Sequence, residues 1–157
     1  MRQVAGRVFL SVVACALQGA CSISIPTQVS TPSFSPGGPS EWTVDFTRSG
    51  GFAGRTVSLH LLSSGALTAS EPESGTTVQS EISSEEAAQI GQLLQGALPF
   101  LVERRAQSCP DCFTYTLGVE IDGQTYAGQA TDVDMGGLEP LIRALSALVG
   151  RALSGQP

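Results

Sequence analysis

The stretch "SCPDCF" places Cys109 and Cys112 in C-x-x-C spacing. Four chemistries compete for such a pair. A redox centre uses a thiol with a lowered pKa, usually at the start of a helix, whereas this pair precedes a strand-like run. A structural zinc site needs about four ligands, and beyond the N-terminal segment the chain offers two cysteines and one histidine, His60. A free thiol pair does not suit an oxidising compartment. The residues favour the fourth reading, a local disulfide that stiffens the approach to the following strand.

The other candidates are weaker. His60 falls on the polar face of a predicted strand, with no serine or cysteine nucleophile specifically paired to it, so it reads as a solvated surface histidine. "TDVDMGGLE" sets Asp132, Asp134 and Glu139 near a helix start. The spacing lacks the full calcium-loop pattern; acids there commonly cap a helix and oppose its positive end. Glu85 and Glu86 are helix-start residues in the same sense. The chain shows no glycine-rich phosphate loop, zinc helix or nucleophile elbow. The expectation is a protein without catalytic residues, metal or cofactor.

Composition bounds the size of the domain and the class of partner. The 157 residues suggest one domain plus extras, and 41% apolar residues suffice for one core. Every basic residue is arginine, 8 in all, against 14 acids, for a net charge of -6. Loss of Arg2 and Arg7 with a cleaved leader would bring the mature chain to about -8. Such a surface repels phosphates, so no nucleic-acid partner is expected.

The opening "MRQVAGRVFLSVVACALQGACS" has a positive end, an apolar run from Val8 to Leu17 and small residues before a cysteine. This is the layout of an export signal, and the run is short for a membrane span. Gly19-Ala20-Cys21-Ser22 resembles the lipobox of bacterial lipoproteins, with Gln18 where that family prefers a branched apolar residue. The resemblance implies cleavage before Cys21 and lipid on its sulfur. Cys15, after "VVA", fits the local pattern but leaves a very short apolar run. The expectation is a signal over 1–20, a Ser/Pro/Gly-rich tether over 21–40, a folded domain over 41–153 and a short tail over 154–157. The protein would be exported and held by lipid on the extracytoplasmic side of a bacterial membrane, or otherwise secreted.

The elements follow from period. Trp42, Val44 and Phe46 alternate with Thr43, Asp45 and Thr47, and Val57, Leu59 and Leu61 with Thr56, Ser58 and His60. Two strands so close in sequence make an antiparallel hairpin. Ser63 to Gly75 reads as a turn or excursion, and Thr76 to Ile82 as a third strand. Ser83 and Glu86 form a capping box for a helix carrying Ile90, Leu93, Leu94, Ala97 and Leu98, which Pro99 stops or kinks. Phe113 to Ile121 alternates most clearly, and Asp122-Gly123 is a two-residue hairpin turn. In that register Val119 faces Tyr126. A stripe from Leu138 to Ala152 makes the last helix, with Pro140 in its first turn. The prediction is an α+β domain in βββαββα order: one antiparallel sheet of four to five strands, with both helices on one face.

The connection between the first two strands is "RSGGFAG", Arg48 to Gly54, a large apolar ring among glycines. Phe52 either folds back to cap the core or points out at a partner. Together with "ISSEEAAQIGQLL", "DCFTYTLGVEIDG" and "LEPLIRALSALV", this stretch is similar to the emfourin family, small proteinaceous inhibitors of thermolysin-like zinc metalloproteases. The resemblance covers Glu41 to Leu153. It implies the same scaffold and a thermolysin-like partner, inhibited by steric occlusion. The contact residues it suggests are Arg48, Gly50, Gly51, Phe52, Ala53, Gly54 and Arg55. The export signal and the cysteine pair around Asp111 are departures from that pattern. A non-catalytic envelope-binding or structural lipoprotein on the same scaffold is the alternative, and a thiol-disulfide enzyme using Cys109 and Cys112 is the third reading.

Overall fold

A computed structural model describes residues 41–101 and 109–155. The signal, the tether, Cys15 and Cys21 lie outside the described residues. The described chain forms β1 (Trp42–Gly50), β2 (Arg55–Leu62), β3 (Ala66–Glu71), β4 (Thr76–Glu81), α1 (Ser84–Ala97), β5 (Phe113–Ile121), β6 (Gln124–Thr131) and α2 (Glu139–Ser154). Three single 3-10 turns connect them, at Pro72–Ser74, Leu98–Phe100 and Gly136–Leu138.

All six strands lie in one antiparallel sheet, in the order β4-β3-β2-β1-β5-β6. The α+β class holds, but the sheet exceeds the four to five strands expected, and the order is ββββαββα. The additional strand is β3, inside the segment read as an excursion. Its inward residues are Leu67 and Ala69, which pair with Leu61 and Leu59. With one large side chain in the inward row, alternation is faint in the sequence. Pro72 does not interrupt the strand; it begins the 3-10 turn that follows.

Alternation sorts the sheet into two faces. Val44, Phe46, Leu59, Leu61, Leu117 and Val119 are buried with Leu94, Leu141, Ile142 and Leu145 from the helices, in one continuous core. Each such side chain contributes about 1.5–3 kcal/mol through removal from water. Phe46 and Tyr115 stack with ring centroids 6.2 Å apart. The opposite face carries Asp45, Thr47, Ser58, His60, Thr68 and Thr116, a polar surface that water can cover.

The chain terminates its elements by local chemistry. Ser83 caps α1, its hydroxyl accepting from the Glu86 N–H at 3.2 Å. Asp122, with φ 49, and Gly123, with φ 77, make the left-handed turn between β5 and β6. Val119 faces Tyr126 as the turn requires. Pro140 sits in the first turn of α2. That helix continues through Ser154 to a left-handed Gly155, one residue beyond the expected domain end.

Candidate functional site

β1 and β2 are paired as far as Gly50 and Arg55, so the connection proper is the four residues Gly51 to Gly54. The Gly54 N–H donates to the Gly51 carbonyl at 3.1 Å, closing a turn with Phe52 and Ala53 at its centre. Phe52 is fully exposed, so its ring does not cap the core. Phe52 is one of three exposed large apolar residues among those described, with Phe100 and Val133.

The loop is braced from beside it. β1 pairs with β5 so that Gly50 lies opposite Phe113. The Gly51 N–H donates to the Cys112 carbonyl at 3.2 Å. Gly50 has φ 98, and a Cβ there would lie 2.6 Å from the Cys112 carbonyl oxygen. A Cβ on Gly51 would meet the Phe113 ring at 2.7 Å. The glycines thus do more than permit a turn: they let two backbones and a ring approach where any side chain would collide. Cys109 and Cys112 are joined in a disulfide with Cα atoms 5.3 Å apart, and Cys112 is buried. The disulfide turn therefore ends at the residue that holds the loop, a convergence invisible in the separate motifs.

The arginines flanking the loop are strand residues. Arg48 continues the alternation of Trp42, Val44 and Phe46 and lies on the same face; its guanidinium is over the Phe113 ring, 5.2 Å from the centroid. Arg55 pairs with Glu71. Glu73 accepts from the Thr56 N–H at 2.9 Å. Backbone hydrogen bonds hold the Glu73 carboxyl below its usual range. Arg48, Arg55, Glu71, Phe113 and Val57 line a recess of about 220 Å³ beside the loop. Behind Arg48, burial pushes the Tyr115 phenol up, and the charge of Asp132 adds to this while Arg48 opposes it. Glu71, Phe113 and Tyr115 are not among the candidate site residues of the sequence; the register of β1 against β2 and β5, and of β2 against β3, brings them here.

The remaining candidates do not converge on this place. His60 and Asp45 are paired across β1 and β2, Nδ1 to Oδ1 2.7 Å, on the open polar face. Ser83 and Glu86 form the expected capping box, the Ser83 hydroxyl accepting from the Glu86 N–H and the Ser83 backbone reaching the Glu86 carboxylate, which also accepts from Arg151 at 2.6 Å. Glu139 pairs with Arg143 at 2.7 Å. The N-cap position of α2 is Leu138, which offers no side-chain cap, and the Asp132 N–H donates to the Phe113 carbonyl at 3.2 Å. Among the described residues no three His, Cys, Asp or Glu cluster so as to hold a metal ion. No described helix is long and apolar enough to cross a membrane.

No protein-family model matches the chain, and no curated protein matches it. The likeness to emfourins therefore rests on the residues quoted for it, and the site has to be argued from its geometry.

Proposed function

We propose that the domain is a proteinaceous inhibitor of a thermolysin-like zinc metalloprotease, working by steric occlusion on an exported, lipid-anchored protein. The observation that carries this reading is Phe52: a fully exposed aromatic ring at the tip of a four-residue turn braced by β5 and the Cys109–Cys112 disulfide. A free ring in water is an unfavourable place for so much apolar surface unless a partner covers it. The brace limits the order lost on binding, one of the costs of docking a loop. Enzymes of the class the resemblance implies accept large apolar side chains beside the cut bond. Phe52 supplies one from a segment held at both ends by a sheet. Gly50, Gly51, Ala53 and Gly54 present only backbone or a methyl group, so the tip is narrow enough to enter a cleft.

Titration of the purified domain against thermolysin-like proteases tests this. The expected result is loss of peptide hydrolysis at near-equimolar dose. Phe52→Ala should weaken inhibition by about 30-fold, the effect of an anchor worth about 2 kcal/mol. Its thermal midpoint should not move, because the ring touches nothing in the fold. Absence of inhibition at any dose would reject the proposal in favour of a non-catalytic envelope-binding or structural lipoprotein on this scaffold.

A further inference from the structure

We propose that the recess beside the loop receives a carboxylate side chain of the protein into which Phe52 docks, and that Arg48 binds it. This rests on the inhibitory reading above and adds the chemistry required of the partner's rim.

Four arginines fall among the described residues. Arg55 pairs with Glu71, Arg143 with Glu139 and Arg151 with Glu86. Arg48 makes no ion pair among the described residues; its guanidinium lies over the Phe113 ring, 5.2 Å from the centroid. A ring holds a guanidinium by its face and leaves the in-plane N–H donors for another group. The best complement to that planar fork is a carboxylate accepting two parallel hydrogen bonds. The recess thus contains two guanidiniums and one carboxylate, Glu71, a charge balance that favours one further negative group.

Size narrows the occupant. The recess is about 220 Å³, below the roughly 300–1,000 Å³ of ordinary small-molecule sites. It fits the end of one acidic side chain better than a free metabolite. Position narrows it further: Gly50 and Ala53, on either side of the tip, also line the recess. Whatever surrounds Phe52 therefore also faces Arg48. The Phe113 ring that carries Arg48 packs where Gly51 lacks a side chain, so loop and recess are fixed together. Finally, the chain carries a net charge of -6. Acidic residues elsewhere disfavour a partner's carboxylates, whereas two guanidiniums stand here beside one carboxylate.

The test compares the intact protein with Arg48→Gln, Arg48→Lys and Phe52→Ala against a panel of thermolysin-like proteases at low and high salt. Intact protein should inhibit, with association slowing between about 0.05 and 0.5 M salt. Arg48→Gln should weaken inhibition by about tenfold or more and flatten that salt dependence. Arg48→Lys keeps the charge but not the fork, and should fall between the two. Should Arg48→Gln fail to fold, the lysine variant and the salt series of the intact protein still decide. Inhibition that is independent of salt, or unchanged in the Arg48 variants while Phe52→Ala weakens it, overturns the recess and leaves the inhibitory reading standing. An intact protein that inhibits none of the panel overturns both.

Discussion

Glu86 in the first turn of α1 and Arg151 in the last turn of α2 share a hydrogen-bonded ion pair of 2.6 Å across 65 residues of sequence. Each charge also suits its own helix end, acid at the start and base at the finish. The Glu86 carboxylate is thus shared between the Ser83 backbone of its own cap and Arg151, and the guanidinium is the stronger partner.

The Arg151 guanidinium holds the Glu86 carboxyl below its usual value, against a smaller opposing effect of burial. A depressed carboxyl pKa stabilises the fold above the unfolded value and stops doing so as pH falls through the folded one. The side chains remain 45% and 38% exposed, for Arg151 and Glu86 respectively. Solvent screening therefore limits the pair to under about 1 kcal/mol. Arg151→Gln should lower stability by no more than that at neutral pH. Urea melts of variant and parent should converge in acid, once Glu86 is protonated, and in high salt.

Gly50 offers a sharper intervention in the loop. With φ 98 and the Cys112 carbonyl oxygen 2.6 Å from a Cβ position, alanine there is strained and in collision. The backbone must shift, at a cost of about 1–3 kcal/mol. Gly50→Ala should therefore lower the thermal midpoint by several degrees and weaken inhibition further than Phe52→Ala does. Gly54 has φ 61 but open space around its Cβ position, so Gly54→Ala should carry backbone strain alone. Ranking the two by melting and by protease titration separates collision from strain.

These contacts show what the sequence could and could not disclose. Arg48 was placeable: it prolongs the alternation of Trp42, Val44 and Phe46, so its face follows from period. The β5–β6 turn was legible because Asp122-Gly123 suits left-handed backbone whatever surrounds it. β3 was not, because Leu67 is its one large inward residue and Ala69 owes its burial to Leu59 opposite. The meeting of Gly51 with Cys112 was also hidden. It depends on β1 lying between β2 and β5, and a non-local register leaves no local mark.

Tyr115 reports on the ground beneath the recess. Burial raises its phenol pKa, the Asp132 charge raises it further, and Arg48 pulls it down. A raised phenol pKa means that the folded state holds its proton more tightly than the unfolded chain. That stability is present below the usual tyrosine value and is lost as pH rises through the folded one. Tyrosinate absorbance should show a step above the ordinary range of about 10. Arg48→Gln should move the step higher and Asp132→Asn lower. A step indifferent to both would mean that neither charge faces the ring.

The disulfide can be tested without any partner. A bridge closing so short a loop removes little freedom from the unfolded chain, roughly 2 kcal/mol by loop-closure arithmetic. Its structural effect should be local, because Cys112 is the residue whose carbonyl accepts from Gly51. Reduction by a dithiol, which is oxidised as the bridge becomes two thiols, frees Cys112 from Cys109. Amide exchange at Gly51 should then speed up by about tenfold or more, whereas amides in β2 and β3 should keep their protection. The Phe52 tip would lose its brace, and inhibition should fall with reduction even though the sheet survives. Cys109→Ser with Cys112→Ser should reproduce both effects and make them insensitive to dithiol. Unchanged exchange at Gly51 would show that the β1–β5 pairing alone fixes the loop and that the bridge serves only the turn it closes.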